Sequence, residues 1–147
     1  MTVTMPLLTQ NIDDLCDTNI LSELARPLPN QGVIEWAANV STIYLSVITV
    51  DEIYFGLTRR PNAKILKWFE AFLANDCQVL PVTAEIAKRA GEIRGQLSLK
   101  GKVRSQADML IAATAEVHEL RLVTRNERDF KDCNLVVVNP FSEDSDD

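Results

Sequence analysis

The stretch Leu15-Cys16-Asp17-Thr18-Asn19 is an apolar pair, an aspartate and two small polar residues. The apolar pattern resumes at once at helical spacing with Ile20, Leu21 and Leu24. This predicts a strand that ends at an acid and a helix that starts beyond it. Asp17, Thr18 and Asn19 are each good helix N-caps, which is reason enough for their presence. In open α/β sheets, however, ligands bind just outside the carboxyl ends of strands, so an acid at that place bears on function as well.

Outward from this stretch, short apolar strands alternate with helices. Residues 12–16 form the first expected strand, with Asp13 and Asp14 as unfavourable members. Further strands are expected over 43–48, 78–82, 121–124 and 135–138, rich in β-branched residues. Helices are expected over 20–26, stopped by Pro27 and Pro29, then over 33–40, 49–60 and from Pro61 to Leu73. Three more are expected over 84–99, ended by Gly101, over 105–119 and over 127–132. Nearly all-apolar strands between helices imply an α/β fold in which a parallel sheet is covered on both faces.

The chain has 147 residues, 46% hydrophobic and 24% charged, enough for one domain with its own core. Residues 1–11 form a polar lead, 12–141 the expected domain, and 142–147 an acidic tail expected to be disordered. No apolar run reaches membrane-spanning length and the N-terminus lacks a basic, then apolar, secretion signal, so a cytoplasmic location is expected. Cys16, Cys77 and Cys133 are odd in number and lie in or beside apolar runs, which fits buried thiols in a reducing compartment. With His118 the single histidine, near a helix end, and no paired cysteines, a structural zinc site is not expected.

The net charge of −6 disfavours a nucleic-acid binder, but four of the acids lie in the last six residues. Residues 85–104 carry Lys88, Arg89, Arg94, Lys100, Lys102 and Arg104 against Glu85 and Glu92. A charge run of this kind is usually a solvated helix face. It can also hold phosphates, which makes Lys100, Lys102 and Arg104 candidate substrate-binding residues.

The carboxylates recur where elements begin. Thr49-Val-Asp51-Glu52 follows the second strand, Ser105-Gln-Ala-Asp108 opens an apolar helix, and Thr124-Arg-Asn126-Glu127-Arg-Asp129 follows the fourth strand. Each can be a capping box or its aspartate version. As a set they fall at one edge of a parallel sheet, where clustered acids repel one another and raise each other's pKa values unless a cation neutralises them. Oxygen ligands without histidine or thiol suit Mg²⁺, with Mn²⁺ as a substitute. Such an ion activates water and stabilises an in-line phosphoryl displacement. Asn19 and Thr124, beside the acids, are further substrate-binding candidates.

Five stretches in this order resemble the PIN-domain ribonucleases, specifically the VapC-type toxins of toxin–antitoxin pairs. They are Leu15-Cys-Asp-Thr-Asn-Ile-Leu-Ser-Glu-Leu24, Leu45-Ser-Val-Ile-Thr-Val-Asp-Glu-Ile53, Ala107-Asp-Met-Leu-Ile-Ala-Ala-Thr-Ala115, Leu122-Val-Thr-Arg-Asn-Glu-Arg-Asp-Phe130 and Val138-Asn-Pro-Phe141. The resemblance implies a three-layer α/β/α domain around a five-stranded parallel sheet. It implies Mg²⁺-dependent RNA cleavage by acids matching Asp17, Glu52 and Asp108, which would also hold the metal. It implies a homodimer and a small VapB-like antitoxin. A fourth acid usually follows the fourth strand; here Asn126 stands at the matching position and Asp129 lies three residues on. The alternative is a weak or inactive PIN domain that binds RNA or protein. A receiver-type signalling domain is disfavoured, because residues 78–82 offer no acceptor aspartate and Asn139 stands where a lysine belongs.

Overall fold

Asp13–Cys16 forms β1, and the acid at 17 turns the chain directly into a helix. The computed structural model describes residues 13–143, so the polar lead and the acidic tail beyond Glu143 lie outside the described residues. In chain order the elements are β1, α1 (Thr18–Leu24), α2 (Gln31–Asn39), β2 (Thr42–Ser46), α3 (Val47–Arg59) and α4 (Ala63–Asn75). Then follow β3 (Gln78–Leu80), α5 (Ala84–Leu99), α6 (Gln106–Val117), β4 (Arg121–Val123), α7 (Glu127–Phe130) and β5 (Val137–Val138). Among the described residues no helix is long and apolar enough to cross a membrane.

The five strands lie in the order β3-β2-β1-β4-β5 and every pairing is parallel. This order differs from the 2-1-3-4-5 order of receiver-type folds. The chain builds outward from β1 through β2 to β3, then crosses to β4 on the other side. The C-terminal ends of β1 and β4 therefore flank the switch point, where open α/β sheets place ligands.

Alternation along the strands splits the core. Leu15 and Leu122 face a layer of α5 and α6, with Ile86, Ile93, Leu97, Met109, Ile111 and Ala112 buried against them. Cys16, Val123 and Leu45 face the opposite layer, with Ile20, Leu21, Val33, Phe69 and Phe72. A one-residue slip of β1 would exchange Leu15 and Cys16 between the faces, which fixes its register. The sandwich matches the expected three-layer architecture.

Asp14 explains how an unpromising strand is tolerated. It is fully buried, but it accepts hydrogen bonds from Trp36 Nε1 at 2.7 Å and from Arg121 Nε and Nη2 at 2.7 and 2.8 Å. Arg121 is its register partner on β4, so the pair spans adjacent strands. A bidentate guanidinium with an indole donor satisfies a buried carboxylate that would otherwise be costly.

Several element ends differ from the sequence expectation. β2 stops at Ser46, whose hydroxyl accepts from Ile48 N at 3.0 Å and starts α3 two residues before the expected helix. The β-branched pair Val47–Ile48 reads locally as strand, but the serine cap makes it the first turn of a helix. Helix α4 opens on Asn62, whose side chain accepts from Ile65 N at 3.0 Å, rather than on Pro61. The thiols are free; Cys16 is buried, whereas Cys77 and Cys133 are only partly so. His118 is the exposed C-cap residue of α6.

Candidate active site

Because all strands run the same way, the residues that follow them meet at one edge. Asp17 follows β1, α3 follows β2 directly, and Thr124 follows β4. Asp17 is both things the sequence allowed. It is the N-cap of α1, accepting from Thr18 N at 2.8 Å, and it is the centre of a polar network. Thr124 Oγ1 donates to Asp17 Oδ2 at 2.8 Å, and Asn19 Nδ2 donates to the same oxygen at 3.3 Å. Asn19 also reaches Thr124 Oγ1 at 3.3 Å and accepts from Arg125 N at 3.1 Å.

Thr124 therefore does not cap the helix after β4. Its hydroxyl accepts from Asn126 N at 3.0 Å while donating to Asp17. Thr124 is fully buried, and its bonding capacity goes into fixing the acid. The N-cap of α7 is Asn126, which makes no side-chain cap bond. Thr49 is likewise no cap. It is buried inside α3, and its hydroxyl lies 3.3 Å from Thr18 Oγ1, which donates its single proton to Glu52 Oε1. At the second expected box the cap itself is present: Ser105 caps α6 and accepts from Asp108 N at 3.0 Å.

The electrostatics show that the acids sense one another. Asp17 is 4% exposed and its pKa is raised to about 6. Burial is the main cause, the bonds from Thr124 and Thr18 oppose it, and the charges of Asp108 and Glu52 add to it. Asp108, half-buried in the first turn of α6, is also raised. Burial again leads, Ser105 pulls it down, Asp129 and Glu52 push it up, and Arg104 lowers it. Asp129 is thus the acid after β4 whose charge reaches Asp108. Asn126, the position singled out by its neutral side chain, is exposed.

The donor set is all oxygen, which suits a hard divalent ion. Among the described residues no three acid, histidine or cysteine side chains converge closely enough to close a metal shell by themselves. Mg²⁺ keeps several of its waters and takes only one or two carboxylates directly. Asp17, Glu52 and Asp108 are the side chains that could hold such an ion. A cleft of about 570 Å³ lined by Val40, Thr42, Phe72, Cys77 and Gln78 lies at the opposite ends of the strands and includes none of these acids.

The basic stretch divides. Lys100 caps α5 and is exposed. Lys102 Nζ and Arg104 Nη2 both lie 3.2 Å from Asp132 Oδ2, and Arg104 Nε donates to the Asp129 carbonyl at 3.0 Å. These engagements, and the Asp14–Arg121–Trp36 cluster, could not be read from the sequence. Their members lie far apart along the chain, and no motif signals them.

The PIN domain family model matches residues 15–134. The VapC ribonuclease Y4jK of Sinorhizobium fredii is 35% identical over 133 residues, covering 85% of this chain and 95% of that protein. The crystal structure of FitAcB from Neisseria gonorrhoeae superposes with a TM-score of 0.74 at 34% identity, over 86% of this chain and 96% of that one. A toxin–antitoxin complex from Klebsiella pneumoniae superposes with a TM-score of 0.70 at 25% identity, over 88% and 98%.

Proposed function

The chain belongs to the PIN-domain family, and from that footing we propose that it is a Mg²⁺-dependent endoribonuclease and the toxin of a toxin–antitoxin pair. The observation that carries this reading is the group of mutually repelling carboxylates at the switch-point edge, Asp17, Glu52 and Asp108, joined by Asp129. Mn²⁺ is expected to substitute for Mg²⁺, and the protein is expected to act in the cytoplasm as a homodimer.

A divalent ion held there would supply an activated water and stabilise charge in an in-line displacement at phosphorus. The protein's own part is positioning. Thr124 and Asn19 aim one oxygen of Asp17, and the amide of Thr18 fixes the other. Thr18 holds Glu52 through its hydroxyl, so α1 ties the acid of β1 to that of α3. Ser105 fixes the start of α6 and with it Asp108. Such fixed ligands cost little reorganisation when charge develops on the scissile phosphate.

The similarity to a ribonuclease supports RNA as substrate, and the similarity to a toxin–antitoxin complex supports a small antitoxin as partner. An inhibitory Arg or Lys from that partner would meet an acidic edge whose charge it could replace. Incubating the protein with structured RNA in Mg²⁺ or Mn²⁺, with and without chelator, tests the reading. Metal-dependent internal cleavage is expected. RNA binding without cleavage in Mn²⁺ would assign the chain to the inactive, binding-only alternative.

A further inference from the structure

Helix α7 has little of its own to hold it in place. It is four residues long and its N-cap makes no side-chain bond, and a single helical turn is not stable alone. It carries Asp129, an acid that repels Asp108 on the neighbouring α6. Contacts from elsewhere in the chain keep it there. Phe130 is fully buried in the core layer that also contains Met109 and Ile111. Glu127 Oε2 accepts from Asn139 Nδ2 at 2.9 Å. Arg104, from the loop before α6, adds a further hold.

Arg104 uses the two directions of its guanidinium separately. Nε donates to the Asp129 carbonyl at 3.0 Å, and Nη2 meets Asp132 Oδ2 at 3.2 Å. Its side chain is only 15% exposed, whereas Lys102, which meets the same Asp132 oxygen, is 43% exposed. An exposed lysine pair contributes little, but a shielded planar fork that makes two bonds fixes geometry. Its bonds fall on the backbone of Asp129 and on a side chain three residues further, which brackets the turn.

We propose that Arg104 is a positioning residue for the metal site, a fork seated on Asp132 that fixes the turn carrying Asp129 beside Asp108. The inference rests on the reading above that these acids serve one divalent ion. In that setting Arg104 does for Asp129 what outer-shell partners do for metal ligands generally. Lys102 and Arg104 are then parts of the site's frame.

The test is calorimetric titration of Mn²⁺ into the full chain and into Arg104→Gln, Arg104→Lys, Asp132→Asn and the Arg104→Gln/Asp132→Asn double variant. Hydrogen exchange of the amides over residues 129–133 provides a second readout. Each single variant is expected to weaken Mn²⁺ binding roughly tenfold, the low end for outer-shell partners. Exchange should quicken over that turn. Lysine should not rescue, because it keeps the charge but loses the fork, and the double variant should be no weaker than the singles. Removing a positive charge alone would tighten cation binding, so unchanged or tighter binding in Arg104→Gln overturns the proposal. Full rescue by lysine, or an additive double variant, overturns it too. Asp132→Asn lies at the surface and covers the case in which changing Arg104 impairs folding. Failure of the unmodified protein to bind Mn²⁺ would overturn the metal reading itself and this inference with it. Normal binding by the unmodified protein with no loss in the variants would overturn only the role of Arg104.

Discussion

Replacing Asp17 by asparagine should stabilise the fold while removing the acid at its functional centre. Asp17 is 4% exposed, and its pKa rises from 3.8 to about 6. Between those two values the folded protein holds the proton more tightly than the unfolded chain does. Stability therefore falls as pH rises through this window and stays low above it. A shift of this size corresponds to about 3 kcal/mol at neutral pH. Asparagine removes that penalty. It keeps an acceptor for Thr18 N but presents an NH₂ group to the hydroxyl of Thr124 and the amide of Asn19, at a cost of roughly 1–2 kcal/mol. The net gain is then roughly 1–2 kcal/mol at pH 7.5, or about 2–8 °C in Tm for a chain of this length. Urea unfolding of both proteins in EDTA, from pH 4 to 8, measures it. The advantage should be near zero or reversed at pH 4, grow toward pH 6 and level off above. A variant less stable than the parent at pH 7.5, or an advantage that does not change with pH, would refute the reasoning.

Other expectations follow from packing and charge. Gly32→Ala would place a Cβ 2.2 Å from the Pro140 carbonyl oxygen and 2.7 Å from Ser142 N, both backbone. It should destabilise by about 1–3 kcal/mol in urea titrations, because neither atom can swing away. Asp14→Ala removes the acceptor shared by Trp36 and Arg121 and should cost roughly 1–3 kcal/mol, visible as a loss in Tm, because the Trp36 N–H loses its partner while the part-exposed Arg121 guanidinium can turn to water. Asn126→Asp adds a carboxylate at the position where this chain departs from the family pattern. Calorimetry should show tighter Mn²⁺ binding and assays should show higher activity at low metal, since a further charge compensates a second ion better.

The sheet and its covering layers were legible because period-2 and period-3.6 patterns are written locally. Leu15 and Cys16 announce the two faces of β1, and residues 84–99 announce α5 with the bounds observed. The place of Asp17 was legible for a related reason. A parallel sheet carries every post-strand residue to one edge, and Ser105 caps α6, the helix that carries Asp108, as its spacing foretold. What could not be read was the use to which polar residues are put. Thr124 and Thr49 have the spacing of capping residues, yet one aims Asp17 and the other lies buried beside Thr18. Asp14 spoils a strand pattern until Arg121, remote in sequence, comes into register with it. These outcomes depend on pairings between strands, which no local window contains. The influence of the Asp129 charge on Asp108 is of the same kind, because it depends on the packing of α7 on α6.

The central claim is that the clustered carboxylates cleave RNA through a divalent ion. Its most direct test measures internal cleavage of RNA by the unmodified protein and by Asp108→Asn, each in Mg²⁺, in Mn²⁺ and after chelation. The account predicts cleavage by the unmodified protein in both metals, its loss with chelator, and none above background for Asp108→Asn, which should still melt cooperatively. Wild-type cleavage rates in Asp108→Asn, or cleavage that survives chelation, would contradict it.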